Sequence, residues 1–116
     1  MTLLKRIDLF PTSEPKVTKA LAERLVSGDP TFKTWAQDVS RGNVRTGVWE
    51  ATPGQTRSIK GESFEYCFIL SGVVELEEQG AAAQRFTAGE CFVMKPGFVG
   101  IWRTIETARK IYVIVD

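Results

Sequence analysis

The sequence predicts an all-β fold, a jelly-roll β-barrel with an extended N-terminal arm. Three observations carry that expectation. From Thr31 onward, short runs rich in Val, Ile, Phe, Trp and Thr recur at intervals of roughly ten residues. Gly, Pro and Asn punctuate them where a chain must turn. At 116 residues, with 43% hydrophobic and 25% charged side chains, the chain has the size and composition of one globular domain. Many short strands in a small domain close into a sandwich or barrel, which also removes exposed edges from strands as apolar as KIYVIV.

The division expected is an N-terminal arm over residues 1–30 and a barrel domain over residues 31–116. LFPTSEPKV, with two prolines, reads as an extended arm. KALAERLV has a weak helical period and is equally compatible with a strand or irregular chain. Next come TFKTWAQD, a turn at SRGN, VRTGVWEAT, a turn at PGQ, and FEYCFIL. Ser71-Gly72 then reads as a tight hairpin turn in which Gly72 supplies positive φ. VVELEEQ, QRFT, CFVM, VGIWRT and ARKIYVIV complete the series, separated by GAA, AGE, KPG and a short polar gap.

Composition bounds the function. The net charge is +1, with Lys and Arg dispersed, so no basic stripe marks a nucleic-acid face. No apolar run reaches the roughly 18 residues of a spanning helix and the N-terminus lacks a signal-peptide pattern, so the expectation is a cytoplasmic protein without a membrane partner. Cys67 and Cys91 lie within strand-like runs, far from C-x-x-C spacing, and read as buried free thiols. Histidine is absent, which excludes Ser-His-Asp and Cys-His devices. There is no phosphate-binding glycine loop.

Several pieces, in order, carry a resemblance. Trp49-Glu50 is followed by Pro53-Gly54, then by Glu65 running into Leu70-Ser71-Gly72. Phe86-x-Ala88-Gly89-Glu90, Lys95-Pro96-Gly97, the stretch Gly97 to Trp102, and Glu106 with Arg109-Lys110-x-Tyr112 follow. Over roughly residues 44–115 the chain resembles the cupins, and among them the ureidoglycine aminohydrolase cupin domain. The second motif departs slightly, its proline falling one place later than usual.

Metal-binding cupins present two His and a Glu from the first motif and a His from the second, ligands suited to Mn, Fe or Zn. Here the resemblance brings the histidine positions onto Ser58, Ile59, Lys60 and Gly61, and the last onto Gly100. In the aminohydrolase register, which uses a Glu, two His and a Gln, the resemblance puts Glu65 in place of a His and brings the other three positions onto Ile59, Gly61 and Gly100. One carboxylate does not hold a divalent ion tightly, so no metal or other cofactor is expected.

The alternation of FEYCFIL puts Glu65, Cys67 and Ile69 on one face and Tyr66, Phe68 and Leu70 on the other. The resemblance implies that the glutamate face looks into the barrel. Glu65 is then a general base or a ligand-anchoring carboxylate, or it is paired with a cation such as Arg57 or Arg109. Cys67 lies beside it, a candidate nucleophile or ligand-site residue, although without a histidine to activate a thiolate it reads first as a small buried core residue. Trp49 and Trp102 are candidate walls for a planar ligand, and Arg57 and Lys95, after turns, are candidates for holding an anionic group. The outward Tyr66/Phe68/Leu70 strip predicts a homodimer. Three functions follow: a metal-free cupin binding a small polar metabolite; an enzyme of the aminohydrolase kind with Glu65 as acid/base; or a structural or regulatory homodimer with a filled barrel.

Overall fold

Residues 2–116 are described by a computed structural model in which every regular element is a strand. In chain order these are β1 (Lys16–Lys19), β2 (Leu25–Gly28), β3 (Thr31–Ser40), β4 (Val44–Ala51), β5 (Gly54–Ile59), β6 (Phe64–Glu78), β7 (Gln84–Thr87), β8 (Cys91–Met94) and β9 (Val99–Val115). All pairings are antiparallel. Together they make one curled sheet in the all-β jelly-roll manner.

β9 is the axis of this sheet. Along one edge it carries β4 on residues 108–115 and β5 on residues 99–104. Along the other it carries β6 over residues 100–115. β6 in turn carries β8 on residues 65–68 and β7 on residues 73–76. Both long strands bend midway, so β1-β3-β4 and β8 join one half of the curl while β2-β5 and β7 join the other.

The bend corrects the hairpin expected at Ser71-Gly72. The chain does not reverse there; β6 continues from Phe64 to Glu78 with register shifts between Ile69 and Ser71, Ser71 and Val73, and Val73 and Val74. Gly72 does take positive φ, at 86°. It serves a bulge rather than a turn, because a Cβ on it would stand 2.2 Å from the Thr107 carbonyl oxygen of β9. The bulge also changes parity. Before it the buried residues are Glu65, Cys67 and Ile69; after it they are Val74 and Leu76. An uninterrupted strand would have turned its second apolar set to solvent.

The expected alternation of FEYCFIL holds. Cys67 and Ile69 are fully buried and Glu65 nearly so, whereas Tyr66, Phe68 and Leu70 are half-buried on the opposite face. The core joins Cys67, Ile69, Val74, Leu76, Met94, Trp102 and Ala108, with Trp49, Phe86, Phe92 and Phe98 packed against it. Cys91 departs from expectation. It is free but exposed, because it faces away from the core on the short edge strand β8.

The first thirty residues add β1 to β3 and β2 to β5. Ahead of β1 the chain crosses the outer face: Trp35 Nε1 donates to Ser13 O at 2.9 Å, and Asp8 and Gln37 exchange hydrogen bonds of 2.7 Å. Arg109 lies under this segment, donating to Leu9 O and to Glu50, with its guanidinium 4.8 Å from the Trp35 ring.

Candidate functional site

Inside the curl is a cavity of about 320 Å³, walled by β3, β4, β6 and β9 from one half of the sheet and by β5 and β9 from the other. Glu65, Trp49, Trp102 and Arg57, four residues singled out in the sequence, border it. Cys67 lies just behind the wall, its Sγ 3.2 Å from Glu65 Oε2. Lys95 does not join them. It borders a separate hollow with Phe86, Phe92 and Phe98, on the other side of Met94.

The centre of the site is an ion triad. Glu65 is 3% exposed. Its Oε1 accepts from Lys60 Nζ at 2.6 Å and its Oε2 from Lys110 Nζ at 2.6 Å. The strands dictate this geometry. Lys110 pairs across the ladder with Ile69 and with Trp49, so it shares their inward face. Lys60 follows β5 on the parity of Thr56 and Ser58, and its backbone N–H is fixed to Phe98 O at 3.0 Å. The cation partners of Glu65 are therefore lysines. Arg109 faces the other way, toward Glu50 and the N-terminal segment. Arg57 reaches the Glu23 carbonyl at 3.4 Å.

Lys110 is held on all sides. Its ammonium lies 4.4 Å from the ring centroids of both Trp49 and Trp102, with Cys67 Sγ at 3.6 Å. The two indoles meet edge to face at 5.4 Å, and Phe32 stacks on the far side of Trp49 at 5.5 Å. This cation–π seat suits a cation withdrawn from water.

Titration follows from these contacts. Burial alone would push the Glu65 carboxyl up, but the ammonium groups of Lys110 and Lys60 outweigh it and hold the pKa at about 2. Burial pushes the Cys67 thiol up to about 12, and the neighbouring carboxylate adds to this against the opposing pull of Lys110. Burial alone would lower Lys110; the Cys67 sulfur and Glu65 reverse that and raise it. Because Cys67 stays a neutral thiol at pH 7, the carboxylate is what keeps Lys110 charged there. Cys67 is thus neither a ready nucleophile nor a ready metal ligand.

The residues present do not fit a divalent ion. Both oxygens of the one carboxylate are engaged by ammonium groups, and Ile59, Gly61 and Gly100 bring no donor side chain. Among the described residues no cluster of three or more His, Cys, Asp or Glu is placed to hold a metal.

Lys60, Lys110, Tyr112 and Met94 border the cavity without having been singled out as site residues by the sequence. A signal existed for two of them. ARKIYVIV alternates, so an inward Ala108 brings Lys110 and Tyr112 inward with it, and a lysine on the apolar face of a strand asks for a buried carboxylate.

Among curated proteins, none matches the chain at a significant level in sequence. Solved structures share its fold at low identity. A Pseudomonas syringae pv. tomato protein of unknown function superposes with a TM-score of 0.82 at 19% identity, over 94% of this chain and 46% of that one. The chain therefore spans about half the length of that relative. The Clostridium difficile EutQ protein gives 0.67 at 15% identity, over 90% and 97% of the two chains. Ectoine synthase from P. lautus gives 0.67 at 14%, over 80% and 68%. The family profile described as the EutQ-like cupin domain matches residues 40–112, well over half of the sequence, and the chain belongs to that family.

Proposed function

We propose that this cupin domain binds a small polar metabolite in the cavity beside the Lys60–Glu65–Lys110 triad, without a metal ion. The observation that carries the reading is the cavity itself, about 320 Å³ and bordered by both indoles and by buried charge. Ligand sites are concave, largely apolar and fitted with a few placed polar groups, and this volume sits at the small end of their range. An open cavity also weighs against a filled barrel with only a structural role.

A thermal-shift screen against small metabolites tests the reading. A ligand at about 100 times its Kd stabilises by roughly 2.7 kcal/mol. Hits that Trp49→Ala weakens are expected, with EDTA leaving the melting temperature unchanged. No hit in any chemical class, or a stoichiometric metal whose removal lowers the melting temperature, would sink it.

The enzyme reading, in which Glu65 serves as acid/base in the manner of the ureidoglycine aminohydrolase cupins, rests on the sequence resemblance. A carboxylate held at about 2 is a weak base at neutral pH, and neither of its oxygens is free to approach a substrate proton. Binding is the better-supported function.

A further inference from the structure

Hydrogen-bonding capacity on the cavity wall is unbalanced. Five bordering residues are cationic, Arg24, Arg45, Arg57, Lys60 and Lys110, and the single acidic one is Glu65. Both Glu65 oxygens are already taken. Lys110 is saturated by Glu65, Cys67 and the two indole faces. Arg45 is committed to Asp116 at 2.8 Å. Lys60 is not saturated. Its ammonium spends one N–H on Glu65 and makes no other hydrogen bond among the described residues, leaving two donors at the cavity. Tyr112 is 5% exposed and borders the same space, yet its hydroxyl has no hydrogen-bond partner among the described residues. Arg24, also on the border, makes no side-chain hydrogen bond or ion pair there. The wall offers donors and positive charge, and no uncommitted carboxylate.

We infer that the occupant is a small carboxylate: an anion with an apolar or planar body that packs against Phe32 and the cavity-facing edge of Trp49, and a carboxylate group that accepts from Lys60, Tyr112 and Arg24. The inference rests on the binding reading above and narrows it to a ligand class. The seat between Trp49 and Trp102, which a ligand cation would favour, is filled by the chain's own Lys110, so an amine would meet a like charge and find neutral hydroxyls but no uncommitted carboxylate. A carboxylate meets charge-assisted donors in a partly dry site, where such bonds are strongest.

The test uses matched triplets on the full chain: acetate, acetamide and ethylamine; succinate, succinamide and 1,4-diaminobutane; benzoate, benzamide and benzylamine. Melting temperature is measured at fixed ionic strength, and the best binder's Kd by calorimetry. The acids are expected to raise the melting temperature where their amides and amines do not. Lys60→Gln, Arg24→Gln and Tyr112→Phe are each expected to weaken the best acid about tenfold, or 1.4 kcal/mol. Arg24→Gln and Tyr112→Phe leave the ion triad intact, so they report on the site even if Lys60→Gln folds poorly. Amides or amines that bind as well as their acids overturn the inference while the binding reading stands, as does an acid whose affinity all three variants leave unchanged. Silence from these probes and from the whole metabolite screen overturns both.

Discussion

The Lys110 ammonium donates to Oε2 of Glu65 across 2.6 Å, with both side chains almost wholly withdrawn from water. Neither charge is tolerable alone at this depth. Truncating one partner of a buried pair strands the other, at a cost of roughly 3–5 kcal/mol, whereas replacing both can be nearly neutral. Lys110→Met is therefore expected to lower stability by about that amount, moderated by Lys60. Glu65→Leu with Lys110→Met should be less destabilised than the sum of the singles by about 1–3 kcal/mol in urea unfolding. Additive singles would show that the two side chains are not coupled.

The same contacts set a pH response. The ordinary value for the Glu65 carboxyl is 4.5 and the folded value about 2, so its contribution is complete above about 4.5 and is lost as pH falls toward 2. The difference corresponds to roughly 3 kcal/mol. Lys110 is shifted up, so its share is complete below 10.5 and disappears only as pH climbs beyond that. The stability gap between wild type and Glu65→Gln should be flat from pH 6 to 8 and close between pH 4.5 and 2.5. A gap unchanged at pH 2.5 would contradict the assignment.

Thiol labelling should separate the two cysteines. Cys91 is exposed, while Cys67 is fully buried with its thiol pushed up to about 12. An aromatic disulfide reagent is expected to titrate one thiol per native chain and both in denaturant, and Cys91→Ser should abolish the native reaction. Rapid native labelling of Cys91→Ser would show that the Cys67 wall opens.

Gly72 and Gly89 both hold left-handed backbone, at φ 86° and 88°. A Cβ on Gly89 meets nothing within 4 Å, whereas one on Gly72 collides with Thr107 backbone. Gly89→Ala should cost about 1 kcal/mol and Gly72→Ala at least about 2 kcal/mol more, since the β6 and β9 backbones must separate. Equal costs would remove the close approach from the explanation.

Assembly is a further proposal. Tyr66, Phe68 and Leu70 form a half-buried strip, with Ile111 and Val113 across the ladder and Val93 45% exposed beside them. A twofold pairing of this face in a homodimer would cover it. Sedimentation at tens of micromolar should give a dimer, and Phe68→Asp a monomer or insoluble protein. A wild-type monomer, or an unaltered dimer in the variant, refutes the pairing.

Most strands were legible because alternation and turn residues bound them, as in FEYCFIL and CFVM. The joins between strands were not. A glycine at positive φ after a strand serves a hairpin or a bulge equally well, so Gly72 reads as a reversal although the chain runs on. VGIWRT and ARKIYVIV read as separate strands for a like reason: the polar Glu106-Thr107 lies at the bend of one strand, β9. β1 and β2 are short and almost fully exposed, and so lack the alternation that burial imposes. At the site, the carboxylate and the indoles were found from sequence. Lys110 enters the sequence only as one member of the Arg109-Lys110-x-Tyr112 pattern, because which of two adjacent cations faces inward depends on register, and Arg109 takes the opposite face.

The central position of β9 bears on synthesis. β4, β5 and the long β6 all take β9 as a ladder partner, yet its first residue, Val99, follows the end of β4 at Ala51 by about two fifths of the chain. At roughly 5–20 residues per second, the ribosome leaves these strands with unclaimed edges for several seconds. Cys67 and Ile69, which finish with no exposure at all, belong to the strand whose edge β9 closes. The sheet can therefore close only when its ninth strand is added.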